Sequence, residues 1–269
     1  MPIKRVKGHG LFATYEMRLA GLHQSKHLKL RPSSYYESLK DESRRTNWAN
    51  NYNLPAPVTT PLRLPIISTL VSVTLEGTPS HKYIDLMDPA VIIRGISSAL
   101  RKMQNMNVHD FPFSIPRWAT EEGIERNLQN LTSKKHRALH PDFSQLDLRN
   151  LRDIVDAGPG AQRPTLSHGD FCMPNVLLDS LGQVSGIVDL GGLHIGNDKL
   201  DPAIMSWTLQ ANMGDRWADH FLEAQNTNAQ DQGIVYSRLA YDLGLNRDNP
   251  WGWIESDKLL ARRERLSND

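Results

Sequence analysis

Cysteine is nearly missing from this chain: Cys172 is the single thiol in 269 residues. It cannot close an intramolecular disulfide, and a metal site built from several thiolates is excluded. Long apolar runs are missing as well. No stretch approaches the roughly 18 apolar residues of a membrane span. The amino-terminal run from Met1 to Gly10 is basic but lacks the apolar centre of a signal peptide. Nor does one sign of charge dominate. Thirty-one Lys and Arg stand against 30 Asp and Glu, a formal net charge of +1, whereas a phosphate backbone calls for a basic face. These absences lead to an expectation of a cytoplasmic protein with neither a nucleic-acid nor a membrane partner.

What is present suits a large soluble fold. Hydrophobic residues make up 39% and charged residues 23% of a 30.4 kDa chain, which exceeds a single small core and favours one bilobal unit or two abutting domains. From Leu11 to Arg31 a loose alternation predicts two short strands joined by a turn near Ala20-Gly21. Ser34 to Asn51 is dense in Glu, Lys and Arg, free of Gly and Pro, and reads as an exposed helix that must stop before Leu54-Pro55-Ala56-Pro57. Leu64 to Leu75 is rich in Ile, Val, Leu and Thr, reads as buried strand, and ends on the turn signal Glu76-Gly77-Thr78-Pro79.

Beyond that turn helices are expected to dominate. Val91, Ile92, Ile96, Leu100 and Met103 fall at helical spacing within Pro89–Val108, residues 155–164 read as a loop, and Pro202–Asn212, Arg216–Gln225 and Gln232–Leu243 read as further helices. Acidity is concentrated late. Between Leu190 and Leu245 seven carboxylates face three cations, so this part of the chain is suited to receive a cation.

The chemistry lies in Leu166-Ser167-His168-Gly169-Asp170-Phe171-Cys172-Met173-Pro174-Asn175, followed by Gly186-Ile187-Val188-Asp189-Leu190-Gly191. Asp170 and Asn175 are five apart across a loop. That is the spacing in kinase catalytic loops between the carboxylate that accepts a hydroxyl proton and the amide that ligates magnesium. Val176–Leu178 and Val184–Val188 are strand-prone runs around Asp179-Ser180-Leu181-Gly182-Gln183, a hairpin that would return Asp189 to the side of Asn175. A carboxylate and an amide carbonyl are hard oxygen ligands that suit Mg2+ and leave positions for phosphate oxygens.

With HGDFCMPN, IVDLGG and Gly196-Asn197-Asp198-Lys199-Leu200-Asp201-Pro202-Ala203, the sequence resembles the aminoglycoside phosphotransferases, especially those acting at a 3′ or 3″ hydroxyl. The resemblance implies that Asp170 orients or deprotonates the acceptor hydroxyl and that Asn175 and Asp189 bind magnesium. It implies further that Lys29, in Leu28-Lys29-Leu30, contacts the α- and β-phosphates of ATP, paired with Glu42, six residues before Trp48. Lys26 is the competing lysine nearby. The nucleotide loop falls around Gly8-His9-Gly10, and the hinge at Leu75-Glu76-Gly77.

The expected fold is α+β and bilobal, protein-kinase-like. A nucleotide-binding amino lobe of antiparallel strands plus one helix spans residues 1–75, a mainly helical catalytic lobe spans 76–269, and ATP would sit between them. The implied activity is ATP- and Mg-dependent phosphorylation of an aminoglycoside, a small cationic molecule, with Asp215, Asp219 and Asp242 as candidate carboxylates for its ammonium groups. A kinase of another small alcohol (macrolide, peptide antibiotic, choline or sugar) and a nucleotide-binding protein without transfer activity are the alternatives. The choice of ATP over GTP, the hydroxyl modified and the oligomeric state are open. His168 reads as structural, Cys172 as inert, Asp201 as a cap for the next helix, and Trp251 and Trp253 as cover for the core.

Overall fold

A computed structural model of the protein describes residues 3–7, 13–18, 25–137 and 139–245. Gly8, His9, Gly10, Ala20-Gly21, Trp251 and Trp253 lie outside the described residues. In chain order the elements are β1 (Ile3–Lys7), β2 (Thr14–Met17), β3 (Lys26–Pro32), α1 (Tyr36–Asn51), β4 (Thr59–Arg63), β5 (Ile67–Val73), β6 (Thr78–Pro79), α2 (Pro89–Gln104), α3 (Glu121–Gln129), α4 (Ser133–Arg137), α5 (Pro141–Ser144), α6 (Leu148–Ala157), β7 (Pro164–Ser167), β8 (Val176–Leu178), β9 (Val184–Ile187), β10 (His194–Asn197), α7 (Leu200–Met213), α8 (Asp215–Ala224) and α9 (Gln232–Gly244). The fold is the α+β, kinase-like arrangement expected, and its described part divides into two compact units. The first takes the described residues up to Lys82 together with Pro174–Leu193; the second takes the described residues of Tyr83–Met173 and those from His194 to Leu245.

In the first unit an antiparallel five-stranded sheet runs in the order β1-β2-β3-β5-β4. The small β6-β8-β9 sheet contains the hairpin predicted around Asp179. That hairpin is anchored to the loop after α1 by the Ile187 amide, which donates to the Pro55 carbonyl at 2.8 Å. Helix α1 departs from the exposed helix expected: Leu39, Ser43, Arg45, Thr46 and Ala49 are all buried. A polar sequence can bury one face because its polar atoms find partners there. The Ser43 hydroxyl is 3.0 Å from the Thr59 hydroxyl, Asn47 Nδ2 donates to the Thr59 carbonyl at 2.9 Å, and Asn50 Nδ2 donates to the Ala56 carbonyl at 2.7 Å. Composition gave no hint of this stripe, since hydroxyls and amides carry no hydrophobic period.

The second unit is helical apart from the β7–β10 pair. Several of its helices start where side chains supply caps. Asp88 Oδ1 accepts from the Ala90 amide, Asp147 Oδ1 from Asn150, and Asp231 Oδ1 from Gly233, each satisfying a donor that the first turn leaves unpaired. Helix α6 continues to Ala157 before Gly158, at φ 65°, ends it, so the expected loop begins later than Val155. Apolar residues from several elements form the core: Ile124, Leu128, Phe143, Leu151, Trp207 and Leu239 are almost fully buried. Among the described residues no helix is long and apolar enough to cross a membrane.

Candidate active site

Lys29 occupies the middle of β3, paired with Thr14 on β2 and Leu70 on β5. Its Nζ donates to both Glu42 carboxylate oxygens, at 2.8 and 2.9 Å, and to Asp189 Oδ1 at 2.7 Å. Strand parity decides between the two lysines: Lys26, three residues away, projects from the opposite face of β3. Burial works against the ammonium charge, yet the two carboxylates outweigh it and raise the Lys29 pKa above the usual lysine range. Burial also raises Glu42, with Lys29 opposing that shift. The cluster thus holds a cation between two anions, and an arriving phosphate would meet a lysine that stays charged.

Asp189 adopts the left-handed conformation, φ 65° and ψ 48°, which is uncommon for a non-glycine residue and recurs at functional sites. The Val188 amide donates to the Asn175 carbonyl at 3.0 Å, tying the approach to Asp189 to the residue at the other end of the motif. Downstream, a Cβ added at Gly191 would lie 3.3 Å from Glu42 Cγ. Any side chain there would press on the carboxylate that holds Lys29. Arg45, one turn beyond Glu42 on α1, donates from Nε to Asp41 at 2.8 Å and from its guanidinium to the Leu193 carbonyl, bracing the segment after Asp189.

In the second unit the HGD segment is held by a residue assigned a different role from the sequence. Asp201 does not cap α7: it lies within that helix, fully buried, and accepts from the His168 amide at 2.7 Å and the Gly169 amide at 3.0 Å. Burial lifts its pKa to about 6, opposed by the neighbouring His168 ring and the two amide donors. Gly169 sits at φ 80°, a conformation glycine adopts without strain. His168 is fully buried, and its Nδ1 accepts from the Asp170 amide at 3.2 Å, which fits the structural role read for it. Asp170 Oδ1 in turn accepts from the Tyr241 hydroxyl at 2.6 Å.

The three acidic candidates separate. Asp215 and Asp219 are exposed one turn apart on α8, with Asp215 Oδ1 accepting from Gln210 Nε2 at 2.9 Å. Asp242 instead is fully buried and its Oδ2 accepts from the His140 amide at 2.8 Å, so its place is inside the fold rather than at the surface. Cys172 is buried beside Leu200 and Ile204, in keeping with an inert thiol.

Oxygen donors fit magnesium. Among the described residues no group of three or more His, Cys, Asp and Glu could cage a metal. One carboxylate, Asp189, and one amide, Asn175, with phosphate oxygens and water completing the shell, are what Mg2+ commonly takes.

The model of the phosphotransferase enzyme family, APH, matches residues 3–240. The chain belongs to this family. A probable aminoglycoside 3′-phosphotransferase of Lactococcus lactis is 37% identical over 152 residues, which span 54% of this chain and 55% of that protein. The aminoglycoside 3′-phosphotransferase of Niallia circulans is 24% identical over 225 residues, covering 79% of this chain and 81% of that protein. The fold is that of solved family members. A type VIII aminoglycoside-3′-phosphotransferase superposes with a TM-score of 0.72 over 90% of this chain and 93% of that one, at 17% identity. The Streptomyces rimosus APH(3″)-Id, solved with ADP and streptomycin, gives 0.67 at 21% identity, over 87% of this chain and 91% of that one.

Sequence reasoning missed Arg45, Asp201 and Tyr241. Asp201 did carry a signal, as a carboxylate near the start of an apolar helix, but the same signal describes a cap.

Proposed function

We propose that the protein is an ATP- and Mg-dependent kinase that transfers the γ-phosphoryl group to a hydroxyl of an aminoglycoside, with the 3′ or 3″ position favoured. The observation that carries this reading is the Lys29 ammonium held between Glu42 and Asp189, in a chain that also contains the HGD segment anchored on Asp201. A charged lysine beside a metal-binding carboxylate is the arrangement that phosphate recognition requires. Family membership and the names of the relatives point to the same class.

In this reading Lys29 contacts the α- and β-phosphates and Glu42 fixes its direction. Asn175 and Asp189 hold Mg2+, which neutralises charge on the phosphate oxygens when bound. Asp170 accepts the acceptor's hydroxyl proton as the acceptor oxygen bonds to the γ-phosphorus. The bond from that phosphorus to the β–γ bridging oxygen breaks, and its electron pair leaves with ADP. Asp215 and Asp219 attract the ammonium groups of a cationic acceptor. Buried Asp242 is a structural carboxylate in this scheme.

Purified protein incubated with Mg2+, ATP and a panel of aminoglycosides, macrolides and small alcohols should yield a phosphorylated aminoglycoside, read as a gain of one phosphoryl group by mass. A phosphorylated macrolide or simple alcohol with the aminoglycosides untouched would replace the acceptor class. ADP-bound protein with no product from any acceptor would replace transfer by binding.

A further inference from the structure

The hydroxyl on Asp170 was not among the residues the motif pointed to. Tyr241 lies in α9, 71 residues beyond Asp170, and donates to its Oδ1 at 2.6 Å, within the short range of hydrogen bonds to a charged acceptor. The ring is gripped on several sides. Trp118 meets it edge-on at 5.9 Å, and it packs on the cluster of Cys172, Leu200 and Ile204. Trp118 is itself seated against Gly244, where an added Cβ would come within 3.0 Å of the indole. Helix α9 is pinned at its start by Asp231, whose carboxylate accepts from the Gly233 and Ile234 amides.

A donor on so confined a ring can do one of two things for a carboxylate. A mobile hydroxyl would act as a stand-in, leaving when an alcohol arrives. A rigid one sets the carboxylate's rotamer. The packing favours the second, because displacing this ring means moving Trp118 and the core beneath it.

We propose that Tyr241 is a positioning residue for phosphoryl transfer, whose hydroxyl locks the Asp170 carboxylate at the angle from which it receives the acceptor's proton. The proposal rests on the assignment of Asp170 as the base. The Asp170 backbone is already fixed by Asp201 through His168 and Gly169. The remaining freedom is the carboxylate's own rotation, and Tyr241 removes it. A proton acceptor misplaced by about 1 Å costs on the order of 10²-fold in rate, while nucleotide and acceptor affinity depend on other contacts.

The test compares wild type, Tyr241→Phe and Asp170→Asn, with kcat, both KM values and Tm measured on an acceptor the wild type phosphorylates. Tyr241→Phe keeps the ring and removes one atom, so Tm should stay within a few degrees. Its kcat should fall about 10- to 100-fold, the equivalent of one charge-assisted hydrogen bond, with both KM values within about twofold. Tyr241→Met, which removes ring and hydroxyl together, should lower kcat at least as far. Tyr241→Phe at wild-type kcat, or a loss expressed in KM or as a collapse of Tm, would overturn the positioning role while leaving the base assignment intact. Asp170→Asn at near wild-type rate would overturn the base assignment, and the positioning role with it.

Discussion

The two units use carboxylates in opposite ways. In the first, Glu42 and Asp189 both accept from Lys29, side chain to side chain. In the second, Asp201 is buried against two backbone amides and fixes the path of the chain itself. A side-chain cluster can exchange partners when an anion binds, because each bond it breaks is replaced by another ionic one. A carboxylate holding main-chain amides cannot exchange without moving the loop. The first unit's cluster suits the ligand site proposed for it; in the second, Asp201 holds the segment that carries the proposed base, Asp170.

Replacing the group held still should have the largest effect. Asp170→Ala is expected to lower kcat by about 10²-fold or more with ATP binding retained, since loss of a general base acts on the chemical step. ATP affinity by titration calorimetry beside turnover checks it, and more than about a tenth of wild-type rate would remove Asp170 from the base role.

Next in size is the ligand-facing cluster. Lys29→Ala should raise the KM for ATP and lower stability by about 2 kcal/mol, because Glu42 is left in a largely buried place without the cation that satisfies it. Adding Glu42→Gln to that variant should recover part of the lost Tm and none of the ATP affinity. If the double variant regained no Tm, the cluster would not be the set of coupled charges described here.

Asp201 sharpens the contrast through pH. Its folded-state pKa of about 6 lies above the unfolded value near 3.8, so between those values the native state binds more protons. The stability Asp201 contributes is therefore fully present below pH 3.8 and lost as pH rises through 6. Asp201→Asn should abolish that slope in a plot of Tm against pH and also lower kcat, since an amide in either orientation turns its NH2 toward one of the two backbone donors. A variant with an unchanged slope would place the titration elsewhere.

The smallest effects belong to exposed charges. Asp215→Asn and Asp219→Asn should each raise an aminoglycoside's KM by about two- to fivefold at low salt, since exposed ion pairs contribute about 0.2–1 kcal/mol. The difference should fade as ionic strength approaches 1 M, where the screening length shrinks to about 3 Å. KM values flat against salt in the wild type and both variants would mean that the acidic face of α8 only solvates the helix.

How much could be read in advance depended on how local the information was. The motif from His168 to Gly191, the hairpin around Asp179 and the helices over residues 200–244 follow from spacing and turn chemistry within a few residues. The fit between Lys29 and Glu42 came through family resemblance, and strand parity explains afterwards why Lys26 is on the other face. Burial of α1 was hidden, since Ser43, Asn47 and Asn50 bury polar atoms whose partners lie on a separate loop and strand. Asp242 reads from the sequence as a candidate carboxylate for a cationic acceptor, because sequence records its charge and not its depth.

By itself the sequence determined the family and the order of the candidate groups, two carboxylates, an amide and a lysine, with no thiol pair and no membrane-length helix among the described residues. Tertiary structure alone decided what holds those groups in place. Asp201 lies more than 30 residues beyond the amides it receives, Tyr241 lies 71 beyond the carboxylate it touches, and Asp189 lies 160 beyond its lysine. Local propensity reaches about one turn of helix or one hairpin, whereas a hydrogen bond forms wherever packing leaves a donor and an acceptor within about 3 Å, whatever the length of chain between them.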